Sequence, residues 1–464
     1  IKMDIKLLLS SIQNTSLSFD VTGLSLNSST LQKGDLFVAL QGEQKHGSEF
    51  INHAIDNGCI GVLVDGKDIE CSVPSIRIDN LRSYLPKLAQ NLYPEAKNIK
   101  LIAVTGTNGK TSVSHFISQL LNALNIKNEV IGTLGLSHID KKTINTTPDI
   151  FTIYSALQDY IDQGVEIAII EASSHALIQG RLEGLSFIQG IFTNLTQDHL
   201  DYHKTMKNYQ EAKGKLFNKS FTKKAIINRD DENHSYFLDI SSAIETETFS
   251  IDDLSYFKSN EQGFICQLNS FVFELPLIGS FNLSNAMAAY KSVKSLGYDD
   301  DTLIPKLAEL SPPPGRMQKL AKKNIWIDYA HTPDALLNAV ITLQDHYPDY
   351  RIRLVFGCGG DRDKTKRQIM GKIASENAHS IVITNDNPRS EEPEKIIDDI
   401  LAGIKVENDF QVILDRKKAI ISAVTTLDEN EVLLIAGKGH ETTQTIGSQI
   451  LPFSDIEVAL NALI

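Results

Sequence analysis

The sequence predicts an α/β protein of three domains, and three observations carry that prediction. Apolar runs of strand length recur between helix-patterned segments: Val165-Glu-Ile-Ala-Ile-Ile170, Ile188-Gln-Gly-Ile-Phe-Thr193, Ile352-Arg-Leu-Val-Phe356, Ser380-Ile-Val-Ile-Thr384 and Glu431-Val-Leu-Leu-Ile-Ala436. Runs this continuous suit parallel strands covered on both faces. A glycine loop at 106–111 stands between one such run and a helix pattern. The length of 464 residues leaves room for about three domains of roughly 150 residues. The expected division is a small N-terminal α/β domain over 1–98, a central, mostly parallel sheet over 99–313, and a C-terminal α/β domain over 314–464.

In the first domain, Asp35-Leu-Phe-Val-Ala-Leu40 and Gly61-Val-Leu-Val64 read as strands, and 53–58 as a helix ending on a glycine cap. Tyr93-Pro-Glu-Ala-Lys97 is expected to be a linker. The central domain opens with Leu101-Ile-Ala-Val104, the loop Gly106-Thr-Asn-Gly-Lys-Thr111, and the helix pattern from Val113. Glycines at 106 and 109 let backbone N–H groups face phosphate oxygens, and the helix N-terminus adds a favourable dipole. Lys110 would neutralise β- and γ-phosphates, and the Thr111 hydroxyl would hold Mg²⁺. The loop is shorter than the usual GxxxxGK[ST], so an ordinary kinase or GTPase fits less well. This domain is therefore read as P-loop ATPase-like. Residues 240–275 are strand-like without a motif. Ser311-Pro-Pro-Pro-Gly-Arg316 breaks helix and strand alike and marks a boundary. The last third, with three further strands ending in glycine or polar residues, is read as Rossmann-like.

Composition narrows the function classes. With 42% hydrophobic and 22% charged residues, the chain has the make-up of a soluble globular protein, and no apolar run approaches the roughly 20 residues of a membrane-spanning helix. The stretch 1–9 is too short and contains Asp4, so no signal peptide is expected. Four scattered cysteines, 59, 71, 266 and 358, lack metal spacing, and a reducing cytoplasm is the simple expectation. A net charge of -13 argues against a nucleic-acid partner. A polyanionic small molecule must then be met by local donors and metal ions.

Ligands of open α/β sheets bind at the carboxyl ends of strands, so Thr105, Glu171 and Asn194 should converge. Glu171 follows one strand and could hold a phosphate-bridging metal; as a bare strand-end acid it would be unremarkable. Asn194-Leu-Thr-Gln-Asp-His-Leu-Asp-Tyr-His203 follows another. There Asp198 and His199 could ligate or orient an ion, or simply cap and face solvent. Lys213, on a helical segment, reads on pattern alone as a surface charge. In the last third, Arg362, Arg389 and Glu441 project from neighbouring strand ends, which suits a zwitterionic amino acid. Loop salt bridges are the alternative for each taken singly.

These motifs together resemble the Mur ligases, ATP-dependent amide-forming enzymes of peptidoglycan synthesis. The resemblance runs from about residue 24 to the end. It rests on 105–111, Asn145-Thr-Thr147, Glu171-Ala-Ser-Ser-His175, Asp198-His-Leu-Asp-Tyr-His203, Gly315-Arg-Met317, Asp328-Tyr-Ala-His-Thr-Pro-Asp334, Gly357-Cys-Gly-Gly-Asp-Arg-Asp363, Asp386-Asn-Pro-Arg389 and Gly437-Lys-Gly-His-Glu441. It implies that Lys213 is a carbamylated lysine, reversing the pattern-only reading. It also implies that Thr111 and Glu171 hold one Mg²⁺, and His199 with modified Lys213 a second. Lys110, Glu171, His199 and Lys213 form the implied catalytic set. ATP would be bound by Gly106, Thr107, Asn108, Gly109, Lys110, Thr111, Ser112, Asn285, Arg316, Asp328 and His331. The UDP-N-acetylmuramoyl-dipeptide would meet Leu26, Ser28, Glu43, Gln44, Lys45, Asn145, Thr146, Thr147, Ser173, Gln179 and Arg181. The family's usual Asp-Ser-Arg appears here as Asn27-Ser28-Ser29, which removes both charged flanks at the uridine end. The acceptor amino acid would meet Arg362, Asp386, Asn387, Pro388, Arg389, Gly437 and Glu441. The terminal arginine of Asp-Asn-Pro-Arg resembles the forms that take meso-diaminopimelate, whose distal carboxylate it would pair. A monomer acting on small molecules, without nucleic acid or membrane, is expected.

Two rivals remain at this stage. L-Lysine as acceptor would leave the arginine unpaired. A P-loop NTPase switch that binds a partner would hydrolyse ATP without any amino acid.

Overall fold

The structure is a computed structural model describing residues 2–42, 45–136, 145–320 and 323–463. The chain gathers into two compact units, Ile1–Phe249 and Ser250–Ile464. The α/β class and the parallel central sheet are as the sequence predicts.

The first unit begins with a four-stranded parallel sheet in chain order: Gly23–Ser25, Asp35–Ala39, Gly61–Asp65 and Ser75–Ile78. Period-two alternation sends side chains to opposite faces. Phe37, Ala39, Val62 and Val64 thus pack with Ile51 and Ala54 of helix Ile51–Asp56, while Leu36, Val38 and Leu63 join a different core. That second core takes the stripe Leu85, Leu88, Ala89 and Leu92 of helix Leu85–Leu92, whose i, i+3, i+4, i+7 spacing makes one apolar face. The expected linker is instead a packed 3-10 helix, Pro94–Asn98, anchored by buried Tyr93 and Ala96.

The second sheet of this unit has seven strands. Its order is Glu245–Phe249, Lys224–Asn228, Gln189–Phe192, Lys100–Thr105, Ile167–Glu171, Asn128–Gly132 and Gly135–Leu136, with only the last pair antiparallel. The strand feeding the glycine loop is therefore central, flanked by the two strands that end near Glu171 and Asn194. Its residues Leu101 to Thr105 are all buried, which explains the unbroken apolar run. Burying a Val, Leu or Ile side chain contributes about 1.5–3 kcal/mol. A hydrophilic interruption there would cost both sheet faces.

The second unit holds a three-stranded antiparallel meander, Tyr256–Asn260, Gly263–Leu268 and Phe271–Leu275, and a six-stranded sheet. The order of the latter is Gln318–Leu320, Ile325–Asp328, Glu431–Ala436, Arg351–Phe356, Ser380–Ile383 and Asp409–Val412, parallel except for the first pair. Three of these six strands, Gln318–Leu320, Ile325–Asp328 and Asp409–Val412, go beyond the sequence expectation. Leu354, Phe356, Ile381 and Ile383 face one core, and Val355 and Val382 the other. The carboxyl ends of Ser380–Ile383 and Glu431–Ala436 lead into the two acceptor motifs.

Candidate active site

In the first unit the glycine loop is fixed by close contact rather than by slack. A Cβ on Gly106, at φ +154°, would lie 1.8 Å from Thr193 Oγ1, so no larger residue fits. The Asn108 amide donates to Asn194 Oδ1 at 2.9 Å, the Thr107 amide to Asn194 O at 2.9 Å, and Thr105 Oγ1 to Ala172 O at 2.8 Å. The three strand ends converge as the sequence predicts. Helix Lys110–Ala123 starts directly at Lys110, so Thr111 and Ser112 stand in its first turn.

Glu171 is completely buried. Its Oε2 accepts from Thr111 Oγ1 at 3.0 Å and Thr133 Oγ1 at 2.9 Å, and its Oε1 from the Thr133 amide at 3.1 Å. A carboxylate and a hydroxyl brought together at a helix start form an oxygen pair that suits a hard cation. Sequence reasoning missed Thr133, which lies outside every motif. Among the described residues no group of three or more His, Cys, Asp and Glu side chains could hold a metal ion. The implied Mg²⁺ ligands, one hydroxyl, one carboxylate, one imidazole and one modified lysine, need no such group, and phosphate oxygens would complete the coordination.

Lys213 stands in the last turn of helix Met206–Gly214 and is buried, against the pattern-only reading of a surface charge. The helix turns Tyr209, Ala212 and Lys213 inward together. The Lys213 amine donates to Gly106 O at 2.8 Å and sits 4.5 Å from the centre of the Tyr209 ring. Lys110 also donates to Gly106 O, at 2.8 Å, and to Thr107 O at 2.9 Å. Burial chiefly, and the Lys110 charge next, push the Lys213 amine well below the ordinary lysine range, with Asp198 opposing. The direction of the shift favours the neutral amine, the nucleophile that carbamylation would require. Tyr209 further ties its hydroxyl to Thr107 Oγ1 at 3.2 Å, and burial raises its phenol.

His199 adopts a left-handed backbone, φ +52°, and its Nε2 lies 3.4 Å from Asp198 Oδ2. Its ring stands 4.9 Å from that of His175 and 6.2 Å from that of Tyr209. His199 and Lys213 thus flank the same tyrosine.

The expected UDP-substrate residues divide into two groups. Thr147 Oγ1 donates to Glu171 O at 2.6 Å and also meets Ser173 Oγ at 3.0 Å. Arg181 donates to Thr147 O at 2.6 Å, and through Nε to Gln179 Oε1 at 3.0 Å. Thr146 Oγ1 lies 3.4 Å from Thr133 Oγ1, with exposed Asn145 beside it. Five of these residues, at 146, 147, 173, 179 and 181, are therefore one network rooted at Glu171. Leu26, Ser28 and Lys45 lie instead in the segments that follow strands Gly23–Ser25 and Asp35–Ala39 of the N-terminal sheet. There Ser28 Oγ and His53 Nδ1 are 3.0 Å apart, and Asn57 donates to Ser28 O at 2.8 Å. Glu43 and Gln44 lie outside the described residues.

In the second unit, Asp328 accepts from the Met317 amide at 2.7 Å and the Ala330 amide at 2.8 Å, and the Arg316 guanidinium lies 4.6 Å from the Tyr329 ring centre. Enclosure raises the Asp328 carboxyl, and the Arg316 charge opposes it. His331 Nδ1 meets Tyr329 O at 2.9 Å. Asn285 is buried and donates to Asn282 Oδ1 at 3.4 Å.

The acceptor motifs meet at neighbouring strand ends. Asn387 Nδ2 donates to Glu441 Oε2 at 3.1 Å, and Arg389 Nη1 to Gly360 O at 2.8 Å. A Cβ on Gly360 would fall 1.9 Å from Pro388 O, so the Gly357-Cys-Gly-Gly-Asp motif is glycine-rich because the Asp386-to-Arg389 loop presses on it. Gly437 abuts Asp386, whose Oδ2 would lie 2.6 Å from an added Cβ. Arg362 is exposed and donates to Asp361 O at 3.3 Å. Arg389, at φ +53°, is gripped by hairpin Thr443–Ile446 and Gln449–Pro452: its amide donates to Thr445 O at 3.1 Å, and its carbonyl accepts from the Gly447 amide at 2.7 Å. Beneath them Arg416 and Asp455, both fully buried, form a bidentate pair at 2.8 and 2.7 Å, while Arg416 also donates to Asn385 O and Ala436 O. The hairpin and this pair carry no sequence signal of their own.

Comparison with known proteins bears on the family and the fold. Three family profiles match in succession: "Mur ligase family, catalytic domain" over residues 20–93, "Mur ligase middle domain" over 104–293, and "Mur ligase, glutamate ligase domain" over 315–439. The chain is 39% identical over 478 residues to the UDP-N-acetylmuramoyl-L-alanyl-D-glutamate--2,6-diaminopimelate ligase of Coxiella burnetii (strain RSA 493 / Nine Mile phase I), covering 97% of this chain and 98% of that protein. A solved UDP-N-acetylmuramoyl-L-alanyl-D-glutamate--2,6-diaminopimelate ligase superposes with a TM-score of 0.69 at 32% identity, over 100% of this chain and 99% of that one. A MurF ligase from Thermotoga maritima in complex with ADP shares the fold, with a TM-score of 0.64 at 19% identity over 95% of this chain and 97% of that one. With such identity along nearly its whole length, the chain belongs to the Mur ligase family.

Proposed function

We propose that this chain is an ATP-dependent ligase that adds meso-diaminopimelate to UDP-N-acetylmuramoyl-L-alanyl-D-glutamate in peptidoglycan synthesis, working in the cytoplasm. The observation that carries the reading is the joint presence, in a near-full-length relative of diaminopimelate ligases, of a buried amine at Lys213 beside the glycine loop and an arginine at Asp-Asn-Pro-Arg389. Residues 1–98 would take the UDP-substrate, 99–313 ATP, and 314–464 the amino acid.

The D-glutamyl γ-carboxylate attacks the γ-phosphorus of ATP, ADP leaves, and an acyl phosphate forms. The amine of diaminopimelate then attacks the acyl carbon, phosphate departs with the bonding pair, and an amide remains once the amine has lost its proton. The first step brings two anions together, so its barrier is electrostatic. Lys110 and the backbone N–H groups of 106–111 supply positive potential to the phosphates. Thr111 with Glu171, and His199 with carbamylated Lys213, would hold Mg²⁺ ions, which when bound spread the developing charge. Asn285, Arg316, Asp328 and His331 would complete the nucleotide contacts. Thr146, Thr147, Ser173, Gln179 and Arg181 orient the dipeptide end of the UDP-substrate, whose uridine end would meet Leu26 and Ser28. Arg389 and Arg362 would pair with carboxylates of the acceptor, and Glu441, with Asp386, with its ammonium groups.

The test is product formation. Incubation with ATP, the UDP-linked dipeptide and isotopically labelled diaminopimelate should place the label in a UDP-linked tripeptide, read by mass spectrometry. An unlabelled UDP-substrate alongside released phosphate would sink the reading and favour a simple NTPase.

A further inference from the structure

Lys438 lies inside the Gly437-to-Glu441 motif but is not among the residues proposed to touch the acceptor. It is wholly buried. Its ammonium donates to Asn387 Oδ1 at 3.2 Å and forms an ion pair of 2.5 Å with Glu441 Oε2. A buried ammonium is tolerated only where an opposite charge and hydrogen-bond acceptors meet it, and here both partners are acceptor-pocket residues. Asn387 is held from two further sides: its Oδ1 accepts from the Thr445 amide at 2.9 Å, and its Nδ2 donates to the same Glu441 oxygen at 3.1 Å. The three side chains close a triangle that fixes which way the Asn387 amide points and where the Glu441 charge sits. Glu441 keeps 29% of its side chain exposed, which leaves it available to a ligand.

The charge balance adds a second consequence. Arg362 and Arg389 both face the Asp361 carboxylate, and Arg416 is matched by Asp455. The Lys438 ammonium, shielded from solvent, offsets the Glu441 carboxylate within the pocket and so weakens its pull on a cationic ligand. meso-Diaminopimelate is a zwitterion without net charge, whereas lysine carries a net positive charge. We propose that Lys438 is a positioning residue that orients Asn387 and Glu441, and that its buried charge biases the site against a cationic amino acid and towards a zwitterion with two carboxylates. This rests on the reading of the acceptor pocket given above.

The experiment is steady-state kinetics of the full chain, with ATP and the UDP-linked dipeptide saturating and either diaminopimelate or L-lysine varied. Lys438→Met, Lys438→Gln, Glu441→Gln and the double variant Lys438→Met/Glu441→Gln are compared with the wild type. Lys438→Met should raise KM for diaminopimelate at least about tenfold, change kcat less than about threefold, and leave KM for ATP nearly unchanged. Its preference for diaminopimelate over lysine, as a ratio of kcat/KM values, should fall about tenfold. In the Glu441→Gln background the same substitution should add less than about threefold, because coupled residues are not additive. Lys438→Gln, which retains a donor to Asn387 without the charge, should recover part of the KM and none of the preference. Should the methionine variant fail to fold, the glutamine variant carries both readouts. An unchanged KM and preference in the Lys438 variants, or effects that multiply independently with Glu441→Gln, overturns the proposal. If Glu441→Gln itself leaves KM for diaminopimelate unchanged, the acceptor-pocket reading fails; if it raises KM while neither Lys438 variant does, only the role of Lys438 fails.

Discussion

At Lys213, burial and the neighbouring Lys110 charge both disfavour the ammonium form, the direction that the proposed carbamylation needs. Lys213→Ala should abolish ADP release, and short carboxylates should restore part of it by standing in for the carbamate. Wild-type turnover in that variant would remove the modified lysine from the chemistry. Arg389 makes a different kind of contribution, since its partner is expected to be the substrate. Arg389→Ala should cost about 1.5–3 kcal/mol of transition-state stabilisation, roughly 10- to 150-fold in kcat/KM for diaminopimelate. Kinetics with varied acceptor measure this directly, and a larger effect on ATP than on diaminopimelate would contradict it.

Among the elements, the sheet ends were readable because buried parallel strands advertise themselves as apolar runs and their polar successors mark the ligand side. The runs at 101–104, 352–356 and 431–436 fall within strands Lys100–Thr105, Arg351–Phe356 and Glu431–Ala436. Asp409–Val412 is mostly exposed and Gln318–Leu320 has three residues, so neither shows as an apolar run. Contacts between distant residues escaped for another reason. Nothing local in the sequence says that Thr445 grips Arg389 or that Lys438 reaches Asn387. Gly360→Ala tests the packing of two motifs: its Cβ would collide with Pro388 O, so KM for diaminopimelate should rise about tenfold with KM for ATP unaffected.

A second test at this scale concerns His346, which joins three elements of its unit. Its Nδ1 meets Asn260 O at 2.6 Å, and its Nε2 accepts from the Gly279 amide at 3.0 Å, which requires the neutral ring. Burial, the largest cause, lowers its pKa, with the Asn260 carbonyl opposing. The folded state thus binds fewer protons than the unfolded one, and stability should fall as pH drops below about 6.5 towards the lowered value. Denaturation midpoints between pH 7 and pH 5 should show that decline, and His346→Gln should flatten it; an equal slope in the variant would contradict the assignment.

For the molecule as a whole, the two units hold different halves of the proposed chemistry. The glycine loop, Glu171, His199 and Lys213 lie in Ile1–Phe249, and Arg389, Glu441 and Lys438 in Ser250–Ile464. The central claim is that phosphoryl transfer from ATP is committed to making an amide with one particular acceptor. Among the described residues no helix is long and apolar enough to cross a membrane. The direct measurement is ADP release in the presence of ATP and the UDP-linked dipeptide, with diaminopimelate, with L-lysine, and with neither amino acid. Sustained release is expected only with diaminopimelate, one ADP for each amide formed; equal release with lysine, or with no amino acid at all, would contradict it.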